Sequence, residues 1–135
     1  LGKNYTYSAI HLEPLPWTQM LLDIKSRVEA VAHTQFNSVL LNYYRDHRDS
    51  MGMHSDDEPE LGERPVLASL SLGEERILIL KHKRDKGLKP VRLQLESGSL
   101  LLMKGDTQHY WKHGIDKETR PCGPRVNLTF RRILA

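Results

Sequence analysis

The chain has 135 residues, enough for one small domain that buries roughly two-thirds of its unfolded surface. Its 39% apolar and 27% charged residues are those of an ordinary soluble globular protein, and no apolar run approaches the ~20 residues that span a bilayer. A net charge of +3 and a pI near 9.1 suit a polyanionic partner without requiring one, and the lone Cys122 excludes an internal disulfide and fits a reducing intracellular compartment.

The opening "LGKNYTYSAI" has neither a basic nor an apolar leader region, so no secretory signal is expected; it also lacks an initiator methionine, as a fragment would. "PWTQMLLDIKSRVEAVA", residues 16–32, is the one predicted helix. Trp17, Leu21, Ile24, Val28 and Val31 recur at helical spacing on one face, and Pro16 suits a first turn. From residue 37 the pattern changes to short runs rich in Val, Ile, Leu and aromatics: "NSVLLNYY", "PVLASLSL", "RILILKHK", "VRLQLE", "SLLLMKG" and "RVNLTFRRI". Turn signals such as Gly73, "RDKG", "ESG" and "KGD" separate them. No repeat, linker or low-complexity stretch interrupts the series. Short strands at this spacing predict a mainly β fold, a sandwich or jelly roll, with the N-terminal helix packed on a barrel-like core.

Between the first two of these runs lies "MGMHSDDE", residues 51–58. If it enters or leaves a strand, His54 and Asp56 share a face and Met53 and Ser55 take the other. An imidazole and a carboxylate side by side can hold a divalent cation, and His113 in "YWKHGI" offers a third ligand. Two histidines and a carboxylate on one face of a metal form the facial triad of non-haem Fe(II) oxygenases, which leaves positions open for O2 and a co-substrate. Catalytic zinc uses the same donors, and a solvated acidic loop is the plain alternative.

"RVNLTFR" bears on that choice. Alternation sends Val126, Leu128 and Phe130 one way and Arg125, Asn127, Thr129 and Arg131 the other. A strand with a wet outer face explains this simply. If the polar face lies inside the barrel, two buried guanidinium groups need a dianion. A small dicarboxylic acid such as 2-oxoglutarate would satisfy them and present its keto-acid end to the iron, with Asn42 and Tyr44 of "LLNYY" as further donors.

The segments "NYTYS", "FNSVLLNYY", "HSDDE", "ASLSLG", "SGSLLLMKG", "YWKHGI" and "PRVNLTFR" resemble, in order and over nearly the whole chain, the AlkB family of Fe(II)/2-oxoglutarate-dependent nucleic-acid dealkylases, particularly its DNA-repair branch. The resemblance implies a double-stranded β-helix formed by residues 1–135 as a single dioxygenase domain, short of the N-terminal part of the family's nucleotide-recognition lid. It implies His54, Asp56 and His113 as iron ligands, and Asn42, Tyr44, Arg125, Asn127 and Arg131 as 2-oxoglutarate contacts. Asp57 and Glu58 match acidic residues that face the target base in catalysis. Tyr5 and Tyr7 match the base of the lid.

The implied reaction couples decarboxylation of 2-oxoglutarate to succinate, with Fe(II) and O2, to oxidation of an alkyl group on a base such as 1-methyladenine or 3-methylcytosine. The base must leave the stack to react. The implied partner is alkylated DNA, with RNA as a second candidate, and no membrane; a monomer is expected, cytoplasmic if bacterial and nuclear if eukaryotic. "KHKRDKGLK", residues 81–89, reads as a basic hairpin tip. It is either a solvated turn whose lysines protect an edge or, in this context, a phosphate-binding patch with Lys81, Lys83 and Arg84. The rival functions are the same chemistry on RNA or protein, a non-catalytic nucleic-acid-binding module, and a zinc hydrolase, which leaves the arginines without a role.

Overall fold

A computed structural model describes residues 5–7, 10–12 and 16–134. Two short strands, β1 (Tyr5–Tyr7) and β2 (Ile10–Leu12), pair with each other ahead of helix α1 (Gln19–Ala32). Eight strands follow: β3 (Ser38–Tyr44), β4 (Met51–His54), β5 (Leu67–Gly73), β6 (Arg76–His82), β7 (Val91–Leu95), β8 (Leu100–Met103), β9 (Trp111–Ile115) and β10 (Arg125–Arg131). A one-turn helix α2 (Thr107–Tyr110) precedes β9. They form two four-stranded antiparallel sheets, ordered β3-β10-β5-β8 and β4-β9-β6-β7. This is the expected jelly roll, a double-stranded β-helix.

Strand alternation builds two cores. The outward residues of β10, Val126, Leu128 and Phe130, join Val39 and Ala68 beneath Trp17, Leu21, Ile24 and Val28, so α1 covers the outside of the first sheet. Between the sheets, Tyr44, Leu78, Leu95 and Ile115 pack with Met51 and Leu101. The inward residues of β10, Arg125, Asn127, Thr129 and Arg131, are all buried and face this second space. Their wet-face alternative is therefore wrong.

The helix differs from expectation at both ends. Thr18, whose hydroxyl accepts from the Leu21 amide at 3.2 Å, caps it, so Pro16 lies outside the first turn. Val31 is 60% exposed and Ala32 takes its place against the sheet. Among the described residues, no helix is long and apolar enough to cross a membrane.

Candidate metal and dicarboxylate site

β4 and β9 bring the three expected ligands together. His54 and His113 are cross-strand partners with ring centroids 4.5 Å apart. Asp56 lies two residues beyond the end of β4, so it reaches the site from the following loop instead of along a continuous strand. The ligand atoms of His54, Asp56 and His113 all lie within 4.8 Å of one another. Close approach of the strands depends on Gly114, where a Cβ would stand 2.7 Å from the Met51 carbonyl and 2.9 Å from Met53 Sδ.

His54 and Asp56 are each oriented by a neighbour outside the triad, whereas the buried Nδ1 of His113 has no hydrogen-bond partner among the described residues. His54 Nδ1 lies 2.9 Å from the Gly52 carbonyl, which favours a proton there and leaves Nε2 with its lone pair. The Asp56 amide donates to Gln108 Oε1 at 2.8 Å. Asp56 Oδ1 accepts from Arg131 Nη2 at 2.9 Å, and Oδ2 lies 3.4 Å from His113 Nε2. Burial alone would raise the Asp56 pKa, but contact with His113 and the charge of Arg131 overcome it and hold the carboxyl well below its usual range. Asp56 is thus an ionised ligand in a nearly closed site.

Behind the triad, the inward face of β10 meets β3 and β5. Arg125 pairs in register with Tyr44, and Asn127 with Asn42 and Ser71. Arg125 Nη2 donates to Ser71 Oγ at 3.0 Å, while its buried Nε and Nη1 have no hydrogen-bond partner among the described residues. Its guanidinium lies over the Tyr44 ring, 4.9 Å from the centroid. Burial lowers the Arg125 pKa, an effect that Tyr44 opposes. Asn127 is held on both sides, donating to Ser69 Oγ at 2.6 Å and accepting from Thr129 Oγ1 at 2.6 Å. The two arginines, expected to clamp one acid together, point to opposite ends of the cavity. Arg131 turns to Asp56, and Arg125 keeps an open fork. Asn42, Tyr44, Asp56, His54 and His113 line the same cavity.

The remaining expected site residues lie outside it. Asp57 is exposed, with its carboxylate 3.9 Å from Lys83 Nζ, and lines a separate cleft of about 520 Å³ beside Gln108 and His109. Asp56 forms a wall of both spaces. Glu58 precedes a 3-10 turn (Pro59–Leu61), and its buried Oε2 has no hydrogen-bond partner among the described residues. Lys81 is exposed near the end of β6, in register with Lys112 of β9, and Arg84 is exposed on the β6–β7 connection. Lys83 is half-buried and donates to the Gln108 carbonyl at 2.8 Å, so it braces α2 instead of extending freely. Tyr5 and Tyr7 fall on β1, where side chains lie outside those described.

Gln108, Ser69 and Ser71 were missed as site residues. The alternation of "LASLSLG" signalled the two serines, because it puts hydroxyls and leucines on opposite faces. No local pattern marks Gln108.

A jelly roll that holds two histidines and a carboxylate on one side of a metal position, with a buried arginine fork behind them, defines a non-haem iron oxygenase scaffold. The model of the 2OG-Fe(II) oxygenase superfamily matches residues 1–131, and the chain belongs to that superfamily, on its AlkB branch. It is 46% identical over 137 residues to the mouse alpha-ketoglutarate-dependent dioxygenase alkB homolog 3, covering 96% of this chain and 48% of that protein. It is 44% identical over 139 residues to the mouse DNA oxidative demethylase ALKBH2, covering 98% of this chain and 58% of that protein. The chain thus spans about half the length of the curated relatives it matches. The solved structure of OsALKBH1, at 21% identity, shares the fold with a TM-score of 0.65, over 91% of this chain and 67% of that one.

Membership implies Fe(II), 2-oxoglutarate and O2. The residues present fit them. Two imidazoles and an ionised carboxylate are a donor set suited to iron, and the two unpartnered N–H groups of Arg125 match one carboxylate of a dicarboxylic acid.

Proposed function

We propose that this chain is the dioxygenase core of an oxidative DNA dealkylase acting on bases of the 1-methyladenine or 3-methylcytosine type. The observation that carries the reading is the convergence of His54, Asp56 and His113 at one end of a cavity whose other end offers the open Arg125 fork. The relatives' names include a DNA oxidative demethylase, which favours DNA over the other substrates of this chemistry.

His54, Asp56 and His113 would hold Fe(II), which with 2-oxoglutarate and O2 would supply the oxidising power needed to remove an alkyl group as an aldehyde. The protein's own part is orientation. A proton on His54 Nδ1 toward Gly52 points Nε2 at the metal position. Arg131 keeps Asp56 anionic and fixes its carboxylate plane. Arg125 takes the distal carboxylate of 2-oxoglutarate, supported by Tyr44 and Ser71, and Asn42 and Asn127 bond the acid along its length. The cleft on the far side of Asp56 receives the flipped base, where Asp57 in its lining, with Glu58 next to it in the chain, favours a base made cationic by methylation. Lys81 and Arg84 contact phosphates, with Lys83 fixing the hairpin's position, and Tyr5 and Tyr7 belong to the substrate side. All three metal ligands and the acid pocket come from one chain, so a monomer suffices.

Anaerobic reconstitution with Fe(II) and 2-oxoglutarate, followed by O2 and methylated oligonucleotides, tests the reading. The expected result is succinate and formaldehyde in equal amounts on methylated DNA. Coupled turnover on RNA or peptide alone would reassign the substrate.

A further inference from the structure

Arg76 opens β6, four residues before Leu80, which pairs with His113. It is 1% exposed, as fully buried as Arg125. Its Nη2 donates to the carbonyls of Asp49 at 2.8 Å and Asp116 at 2.7 Å, and Nη1 donates to that of Asp46 at 3.4 Å. One guanidinium therefore ties the β3–β4 connection to the segment after β9. Its nearest carboxylate is Glu118, 3.8 Å from Nε and 37% exposed.

The same guanidinium lies over the Tyr44 ring, 5.6 Å from the centroid, and Arg125 lies over that ring at 4.9 Å. A ring's negative faces attract cations, so Tyr44 is held by both arginines and in turn holds Arg125. Two buried cations share one aromatic ring, and among the described residues the carboxylate within ion-pair distance of either is the half-exposed Glu118. Such an arrangement costs free energy in an empty pocket and recovers it when an anion arrives. Nη1 and Nη2 of Arg76 are engaged with backbone carbonyls, and its Nε, on the Glu118 side, has no hydrogen-bond partner among the described residues. Tyr44 and Arg125 line the cavity and Arg76 does not, so it is placed to act through Tyr44 and through its field, not by touching the ligand.

We propose that Arg76 is a positioning residue that makes the cavity selective for a dianionic keto acid: it locks Tyr44 against Arg125 and adds a second positive charge behind the distal carboxylate. This rests on the reading that Arg125 receives that carboxylate of 2-oxoglutarate. Arg76 then has no reason to affect a keto acid that lacks the group.

The test is calorimetric titration of the Mn(II)-loaded protein with 2-oxoglutarate and with 2-oxovalerate, which replaces the distal carboxylate by a methyl. In Arg76→Met, the preference for 2-oxoglutarate over 2-oxovalerate is expected to fall about tenfold. Equal weakening of both acids would mean that Arg76 only supports the fold, and would overturn the proposal. Glu118→Gln carries the same test at a half-exposed position, and decides the matter if Arg76→Met does not fold. Removing that negative charge is expected to tighten 2-oxoglutarate about twofold and leave 2-oxovalerate unchanged; an unaltered preference overturns the proposal alone. Failure of the unmodified protein to distinguish the two acids would overturn the co-substrate reading, and this proposal with it.

Discussion

Arg125 and Arg131 leave the same face of one strand, six residues and roughly 20 Å of backbone apart, and end in opposite electrostatic situations. Arg131 has a carboxylate partner inside the protein, Asp56, and losing either member strands a buried charge. Among the described residues Arg125 has a serine hydroxyl and the Tyr44 ring beside it, and no hydrogen-bond partner at Nε or Nη1. The second arrangement makes Arg125 costly to the empty protein and useful to an anionic ligand. Arg125→Met is therefore expected to raise the 2-oxoglutarate KM by roughly tenfold to a hundredfold, the worth of charge-assisted hydrogen bonds at about 1.5–3 kcal/mol. Without 2-oxoglutarate the same variant should unfold no more readily than the parent, and by about 1 kcal/mol less readily, because a buried cation is replaced by an apolar side chain. Steady-state kinetics and urea denaturation measure the two halves. A loss of stability with unchanged KM would assign Arg125 to the fold alone.

At the scale of the element, metal geometry is set by how closely β4 can approach β9. Gly114 sits beside His113, and the space for its Cβ is already taken by the Met51 carbonyl and Met53 Sδ. Gly114→Ala must push the strands apart and with them His54 from His113. Equilibrium dialysis is expected to show at least tenfold weaker Mn(II) binding, while Gly52→Ala, whose Cβ meets nothing within 4 Å, should bind as the parent does. Equal binding in both variants would show that the loop carrying Asp56 absorbs the change. These two strands were also the hardest to read. β3, β5, β6, β7, β8 and β10 announce themselves by branched and aromatic residues, whereas β4 is "MGMH" and β9 is "WKHGI", with glycines and polar residues where the site needs them. The ligands were legible as residue types and spacing, but their shared direction was not, since Asp56 leaves the strand before it turns inward. In β10 the alternation identified the two faces and could not say which was wet, because α1 covers one and the second sheet the other. The acidic pair Asp57 and Glu58 was legible only through the family resemblance.

Across the whole molecule, the two cores divide the work. Phe130, Leu128 and Val39 under α1 provide an ordinary apolar anchor for the back of the first sheet, and that anchor lets the front of β10 carry charge. The inner space has a smaller apolar cluster around Tyr44 and Leu78, crowded on one side by Arg76 and Arg125 and on the other by Asp56, Arg131 and His113. Stability and ligand binding are coupled through this inner space, because the groups that destabilise it are the ones the metal and the keto acid complete. A ligand that binds only the folded state at a hundred times its Kd adds about 2.7 kcal/mol of stability. For a chain of this length each kcal/mol moves the melting temperature by roughly 3–5 °C. Mn(II) with saturating 2-oxoglutarate is thus expected to raise Tm by about 10 °C, and Arg125→Met should lose most of the increment due to the acid while keeping that due to the metal. Differential scanning fluorimetry with each ligand added separately resolves the two contributions. If the acid stabilises Arg125→Met as much as the parent, the fork is not its receptor, and the inner charges must be balanced in some other way.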